Sequence, residues 1–203
     1  MAVVLGLFGA VATPAVAGVV VGTSGDDRLV GTQAADEISG LAGDDLIRSL
    51  GGPDYVQAGA GDDLVHLGAG PAHQYPGDTA LGGRGDDLLY GGLGYDVLVG
   101  GPGADLLVGG PGRSDMVDGP GSDVLRGGAA GDSVMVLRGR DHAYLRAGND
   151  SVVVIRDGKR DIIRCGPGQD EVFQRSAADP MDRFFGCESV RVSSPAGSRI
   201  PAW

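Results

Sequence analysis

The sequence predicts an all-β chain assembled from one nine-residue unit of turn and strand. The composition is one reason, because 39 glycines and 11 prolines favour turns over helices. The choice of acid is another, since only Glu37, Glu171 and Glu188 of the 27 acidic residues are glutamate, the better helix former. The third reason is a period: Gly-Gly pairs return every nine residues between residues 82 and 110. An apolar content of 42% is sufficient for a core.

The unit reads Gly-Gly-x-Gly-x-Asp-x-apolar-x, and it extends with interruptions over residues 22–173. About six extra residues near Leu67–Ala72 shift the phase, Ser114 stands where aspartate is expected, and two extra residues precede Asp161. The sixth-position aspartates are Asp27, Asp36, Asp45, Asp54, Asp63, Asp78, Asp87, Asp96, Asp105, Asp123, Asp132, Asp141, Asp150, Asp161 and Asp170.

Each position of the unit has a structural role. Positions one to six predict a turn, because glycine adopts the positive φ angles that other residues resist. Positions seven to nine predict a short strand whose eighth residue faces inward, since successive side chains of a strand alternate. The predicted inward residues are Leu29, Ile38, Ile47, Val56, Val65, Ala80, Leu89, Leu98, Leu107 and Val172.

The units GGRGDDLLY, GGLGYDVLV and GGPGADLLV (residues 82–108) and CGPGQDEVF (residues 165–173) resemble the RTX, or haemolysin-type calcium-binding, nonapeptide repeat family. The resemblance implies a right-handed parallel β-roll, a solenoid with two units per turn. It also implies that calcium ions lie between stacked turns and that such proteins are exported. Units n and n+2 then stack, which places Asp87 over Asp105 and Asp78 over Asp96.

Calcium suits this arrangement on chemical grounds. Carboxylates stacked about 4.8 Å apart repel each other by about 1 kcal/mol in water and by more at a protein surface. Calcium accepts six to eight oxygen ligands, whereas magnesium requires a tighter octahedron, and the repeat offers no His or Cys to a transition metal. The expected calcium-site residues are Asp27, Asp45, Asp63, Asp78, Asp87, Asp96, Asp105, Asp123, Asp132, Gly82, Gly85, Gly91, Gly94, Gly100 and Gly103.

Five turns depart from the glycine pattern and leave two alternatives open, weak calcium binding or none. They are GTQAAD (residues 31–36), SLGGPD (residues 49–54), VLRGRD (residues 136–141), LRAGND (residues 145–150) and RDGKRD (residues 156–161). In all five we expect the geometry of the coil to be retained.

The ends of the chain differ from the repeat. Residues 1–17 contain an apolar run and the A-x-A site Ala15-Val16-Ala17, which indicate a secretory signal peptide; a buried first strand is the alternative. Residues 174–203 are expected to form a C-terminal cap and tail, because an open coil end exposes strand edge and core. The two cysteines, Cys165 and Cys187, predict one disulfide in an exported protein.

A secreted calcium-binding protein without catalytic activity, structural or adhesive at the cell surface, is the function that these features favour. The alternative is an accessory module or a polysaccharide-acting enzyme of the β-helix type. A net charge of −11 argues against nucleic acid and anionic membranes as partners. The outward residues Leu88, Tyr90, Leu106 and Val108 predict an apolar strand face that could contact a cell-surface, polysaccharide or protein partner, another copy of the chain, or the insertion at residues 67–77. The alternative is that they are good strand formers exposed to solvent. Ice binding is disfavoured, because the outward positions lack an array of threonine.

Overall fold

The computed structural model describes residues 17–70, 77–175 and 178–193. The predicted signal peptide therefore lies outside the described residues, except for Ala17. Every strand in the described part of the chain is paired in parallel, and two long sheets face each other across one core. The chain alternates between these sheets, so that each coil of the solenoid contributes one strand to each. The all-β parallel β-roll predicted from the sequence is confirmed.

The ten-stranded sheet, sheet A, contains β1 (Val19–Val21), β3 (Glu37–Ser39), β5 (Tyr55–Ala60), β7 (Asp78–Arg84), β9 (Tyr95–Val99), β11 (Arg113–Val117), β14 (Ser133–Val136), β17 (Ser151–Ile155), β19 (Glu171–Arg175) and β21 (Ser189–Ser193). The nine-stranded sheet, sheet B, contains β2 (Arg28–Val30), β4 (Leu46–Arg48), β6 (Leu64–Ala69), β8 (Leu88–Leu93), β10 (Leu106–Val108), β13 (Val124–Arg126), β16 (His142–Tyr144), β18 (Ile162–Arg164) and β20 (Arg183–Phe185). A small third sheet pairs β12 (Pro120–Gly121) with β15 (Arg138–Gly139).

The register of the strands confirms that two nine-residue units make one turn. Leu89 pairs with Leu107, and Leu107 pairs with Leu125. The predicted phase shift is also present, because Val56 pairs with Ala80 instead of a residue 18 positions on. The prediction that the extra residues begin near Leu67 is wrong: β6 continues in register to Ala69, and the Leu67 side chain is fully buried. The insertion therefore lies between Gly70 and Gly77.

Eighth-position side chains form the core as predicted. The buried members of this row are Leu29, Ile38, Ile47, Val56, Val65, Ala80, Leu89, Leu98, Leu107, Met116, Leu125, Val134, Ala143, Val152, Ile163 and Val172. Position one also faces inward, which the sequence did not indicate. It is occupied by the buried residues Ala58, Leu67, Val136, Leu145, Val154 and Cys165 where glycine is replaced by an apolar side chain. The interior is thus lined by two residues per unit and by the sixth-position aspartates between them.

The segment after Phe173 extends the coil. In β20, Phe184 pairs with Ile163, and in β21, Val190 pairs with Val172. Cys165 and Cys187 form the predicted disulfide, with 5.2 Å between their Cα atoms. Closing a loop of this length stabilises a fold by roughly 3 kcal/mol in the chain-entropy model. The disulfide therefore joins the final strands to the last regular repeat unit, residues 165–173.

Candidate metal centre

The sixth-position aspartates form a hydrogen-bonded ladder inside the solenoid. The backbone N–H of Asp87 donates to Oδ1 of Asp105 at 2.9 Å, and the N–H of Asp105 donates to Oδ1 of Asp123 at 2.8 Å. Each aspartate thereby donates to the carboxylate of the next turn and accepts from the turn before. The three side chains are at most 2% exposed. The expected stacking of Asp87 on Asp105 is confirmed. The hydrogen bond runs from the N–H of the earlier aspartate to the carboxylate of the later one.

Two such ladders run along the coil. The unbroken ladder precedes the strands of sheet B and contains Asp27, Asp45, Asp63, Asp87, Asp105, Asp123, Asp141, Asp161 and Asp182. The interrupted ladder precedes the strands of sheet A and contains Asp36, Asp54, Asp78, Asp96, Ser114, Asp132, Asp150, Asp170 and Glu188. Asp96 stacks on Asp78 in register, but neither of its carboxylate oxygens accepts a hydrogen bond from a described residue, so this ladder is already interrupted there. Ser114 replaces the carboxylate in the middle of the second ladder and is fully buried.

One oxygen of most ladder carboxylates has no donor. Oδ2 of Asp87, Asp105 and Asp123 is buried and accepts no hydrogen bond from the described residues. The same holds for Oδ2 of Asp45, Asp63, Asp78, Asp141, Asp150 and Asp170. A buried, ionised oxygen without a partner is strongly unfavourable, so these atoms require either a cation or a proton.

First-position glycines keep space open beside these oxygens. A Cβ atom added to Gly100 would lie 2.4 Å from Oδ2 of Asp105 and 2.7 Å from the carbonyl oxygen of Asp118. At Gly82 the corresponding distances are 2.3 Å to Oδ2 of Asp87 and 2.7 Å to the carbonyl oxygen of Gly100. Gly91 is similar, with Oδ2 of Asp96 at 2.6 Å. A carboxylate oxygen and a carbonyl oxygen of the next turn therefore converge, which is the donor set that calcium prefers.

Glycines at positions two and four allow neighbouring turns to approach closely. Gly101 has a φ of 116° and Gly85 a φ of 126°, angles that favour glycine. A Cβ atom at Gly103 would lie 1.8 Å from the carbonyl oxygen of Gly85, so any side chain there would separate the turns. In two irregular turns, Leu50 and Arg146 adopt positive φ at position two. Such a residue costs roughly 1 to 2 kcal/mol, which weakens those turns.

Burial raises the pKa values of the ladder carboxylates in the protein without metal. The pKa of Asp87 rises to about 7, chiefly through burial; the N–H of Asp63 opposes the shift, and the charges of Asp63 and Asp105 add to it. Burial also raises the pKa of Asp96 to about 7 and that of Asp105 to about 6. These carboxylates are thus unfavourable as free anions in the folded coil.

The aspartates expected as calcium ligands differ in whether their Oδ2 atom already accepts a hydrogen bond. Asp45, Asp63, Asp78, Asp87, Asp105 and Asp123 retain the unpaired Oδ2. In contrast, Oδ2 of Asp132 accepts the N–H of Gly128 at 2.9 Å, and Oδ2 of Asp27 accepts the hydroxyl of Thr23 at 2.9 Å. The ladders also include the sixth-position aspartates of all five irregular turns, which confirms that those turns retain the coil geometry.

Two acidic features were not identified from the sequence. Fifth-position aspartates make a second, exposed row in which Oδ1 of Asp26, Asp44, Asp62 and Asp86 accepts an N–H from the next turn. The recurring Asp-Asp pairs could have indicated this row. Asp118, Asp123 and Asp141 also bring three buried carboxylates together, with ligand atoms within 4.8 Å of one another. Burial, followed by the neighbouring charges of Asp141 and Asp123, raises the pKa of Asp118 to about 8 against the effect of the Gly119 N–H.

The outward apolar face has the predicted stacking. Leu88 pairs with Leu106, and Tyr90 pairs with Val108 on adjacent strands of sheet B. Leu88 is 37% exposed, and the ring of Tyr90 stacks on that of His66 with 4.7 Å between centroids. Among the residues that the structure describes, no helix is long and apolar enough to cross a membrane.

The repeat geometry agrees with comparison to known protein families. A profile described as the RTX calcium-binding nonapeptide repeat, in four copies, matches residues 21–56, 48–71, 81–116, 108–143 and 117–152. These matches cover more than half of the 203 residues. None of the curated proteins matches the chain significantly. With its two aspartate ladders and its glycine-lined turns, the chain belongs to the RTX calcium-binding nonapeptide repeat family.

Proposed function

We propose that this chain is a secreted, non-catalytic calcium-binding protein that folds on calcium and acts as a structural or adhesive element at the cell surface. The observation that carries the proposal is the row of buried Oδ2 atoms without donors, beginning at Asp45 and ending at Asp170. An exported protein fits this role, because extracellular calcium modules bind at about 10⁻⁴ to 10⁻³ M, concentrations found outside cells. Family membership supports calcium as the ion.

Within each regular turn, the sixth-position carboxylate and the backbone carbonyls beside the first-position glycine would hold the ion. In the turn of residues 100–105, these groups are Oδ2 of Asp105 and the carbonyl oxygen of Asp118. Calcium would supply positive charge between carboxylates that otherwise repel each other. Glycine at positions one, two and four keeps that space open, which is why Gly82, Gly85, Gly91, Gly94, Gly100 and Gly103 belong to the proposed sites.

Asp105→Ala is expected to weaken calcium-dependent folding more than Asp161→Ala. Asp105 joins two turns rich in glycine and has an unpaired Oδ2, whereas Asp161 follows a turn with Lys159 in place of the fourth glycine. Following β-sheet circular dichroism during calcium titration should show a higher midpoint for Asp105→Ala. Equal midpoints for the two variants would contradict the assignment of stronger calcium binding to the glycine-rich turns than to the irregular ones. Asp86→Asn, on the exposed fifth-position row, serves as the control and should leave the midpoint unchanged.

The face formed by Leu88, Tyr90, Leu106 and Val108 is the surface that we propose for a cell-surface, polysaccharide or protein partner. Its support is a contiguous set of apolar side chains on neighbouring strands, of which Leu88 is the most exposed. A double variant, Leu88→Ser with Leu106→Ser, is expected to reduce adhesion to the producing cells while the calcium midpoint stays the same. Unchanged adhesion and unchanged mass in solution would exclude this face as a contact surface.

A further inference from the structure

Asp118 occupies a position where the repeat normally has glycine. It is the first residue of the unit DGPGSDVLR (residues 118–126), whereas the three units before it begin with Gly91, Gly100 and Gly109. Position one faces the interior, and the Asp118 side chain is accordingly 0% exposed. The substitution therefore adds a third carboxylate to a pair of stacked ladder aspartates, instead of placing an acid on the surface.

The Asp118 carboxylate is fixed in place by backbone groups. Its Oδ1 accepts the N–H of Gly119 at 2.6 Å and that of Leu137 at 2.9 Å. Its Oδ2 lies 3.1 Å from the same Leu137 nitrogen. Asp118 thus bridges its own turn and the next one, and its position does not depend on a bound ion.

The two ladder aspartates beside it present unpaired oxygens. The N–H of Asp123 donates to Oδ1 of Asp141 at 2.9 Å, and the N–H of Asp105 donates to Oδ1 of Asp123. Oδ2 of Asp123 and Oδ2 of Asp141 are buried and have no donor among the described residues. One ligand atom from each of the three side chains lies within 4.8 Å of the other two.

Another unit shows what a position-one side chain does when it can donate. Gln174 directly follows the last regular unit, and its Nε2 atom donates to Oδ2 of Asp182, the ladder aspartate eight residues further on, at 3.2 Å. That amide satisfies a ladder carboxylate without any ion. Asp118 likewise lies beside the ladder aspartate Asp123, but an ionised carboxylate offers only acceptors. The charge and the acceptors at this point therefore call for a cation or a shared proton, and three carboxylates around one point favour the cation.

We propose that Asp118, Asp123 and Asp141 form a three-carboxylate calcium site that differs from the repeat sites and binds more strongly than they do. The inference rests on the proposed calcium-binding function of the coil. Three oxygens within 4.8 Å of one another lie at most about 2.8 Å from a common point, so a small shift brings them to the 2.3 to 2.6 Å of calcium ligands. A greater number of charged ligands raises calcium affinity. Asp141 would then bind calcium although its own turn, residues 136–141, lacks most of the glycines of the repeat.

The test compares the full chain with two variants of Asp118 by counting bound calcium. Asp118→Asn keeps the size of the side chain and supplies an amide that can donate to Asp123, as Gln174 does to Asp182. Asp118→Gly restores the glycine of the neighbouring units. Asp86→Asn carries the same change of charge as Asp118→Asn on the exposed row. Ions per chain are measured by native mass spectrometry at the lowest free calcium concentration that completes folding of the unaltered protein.

We expect Asp118→Asn to carry one ion fewer than the unaltered chain, and Asp86→Asn to carry the same number. Asp118→Gly recreates a repeat site, so it should keep the number of ions but release its last ion at a higher free calcium concentration than the unaltered chain. If Asp118→Asn fails to fold in excess calcium, as judged by circular dichroism, the release of the last ion from Asp118→Gly decides. Equal counts for Asp118→Asn and the unaltered chain, or release of the last ion from Asp118→Gly at an unchanged calcium concentration, would overturn the three-carboxylate site, because the cluster would then hold a shared proton. An unaltered chain that binds no calcium would overturn the proposed function as well, so the two failures can be told apart.

Discussion

Removing calcium at pH 7.5 is expected to leave the chain expanded and largely unstructured from Gly82 to Asp150. The folded coil buries carboxylates whose Oδ2 atoms have no donor among the residues that the structure describes. Its glycine-rich turns also lose a large conformational entropy on folding. The core offsets only part of these costs, because it is thin and aliphatic, and the largest fully buried side chains of the described residues include no aromatic ring. Ion-binding free energy therefore becomes folding free energy.

Circular dichroism and hydrodynamic radius should change together when calcium is added to this expanded form. We expect the β signal to appear and the chain to contract cooperatively at about 10⁻⁴ to 10⁻³ M calcium. Magnesium at the same concentrations should have no such effect, because it requires a tighter octahedron and retains its water ligands. A chain that is equally folded in calcium, in magnesium and in chelator would contradict this prediction.

Acidification should replace calcium in folding the metal-free protein. Burial raises the pKa of Asp87 to about 7 and that of Asp118 to about 8, so both pKa values are higher in the folded than in the unfolded chain. For a group of this kind, stability is fully present below the unfolded value near 4 and is lost as the pH rises through the folded value. The metal-free chain should therefore be most stable near pH 4 and lose stability between about pH 4 and pH 8.

The metal-free protein for this experiment is prepared with a chelator and dialysis at neutral pH. It is then transferred to acidic buffer. Thermal unfolding is then followed by circular dichroism between pH 4 and pH 8. A parallel series in high salt separates buried groups from the surface, because salt screens exposed acids such as Asp86 far more than buried ones. If the gain in stability at acidic pH vanishes in high salt, or if the metal-free chain stays unfolded on acidification, the account of the ladders is wrong.

The parts of the fold that follow from periodicity could be predicted from the sequence. Leu89 and Leu107 were expected to face inward and to stack 18 residues apart, and both expectations are confirmed. The nine-residue period fixes which side chains are inward, while the family resemblance fixes two units per turn. The Cys165–Cys187 disulfide was predictable as well, because the chain has no other cysteine.

Features that depend on local geometry were not predictable in this way. The period places Asp87 beside Asp105, but it does not show that the N–H of one turn satisfies Oδ1 of the next and leaves only Oδ2 for an ion. Asp118 was not identified as a site residue from the sequence, because the period does not show that position one faces inward. The start of the insertion was misplaced because Leu67 continues the core, and its apolar character alone does not distinguish a core residue from an extra one.

The most direct test of the central claim is a single titration that records bound calcium and folded fraction on the same metal-free sample at pH 7.5. Bound calcium is measured by equilibrium dialysis with elemental analysis, and the folded fraction by circular dichroism. We predict that the two curves coincide, with several ions per chain at saturation, because the unpaired ladder oxygens prevent the coil from forming without them. A chain that is fully folded before any calcium is bound would contradict the account.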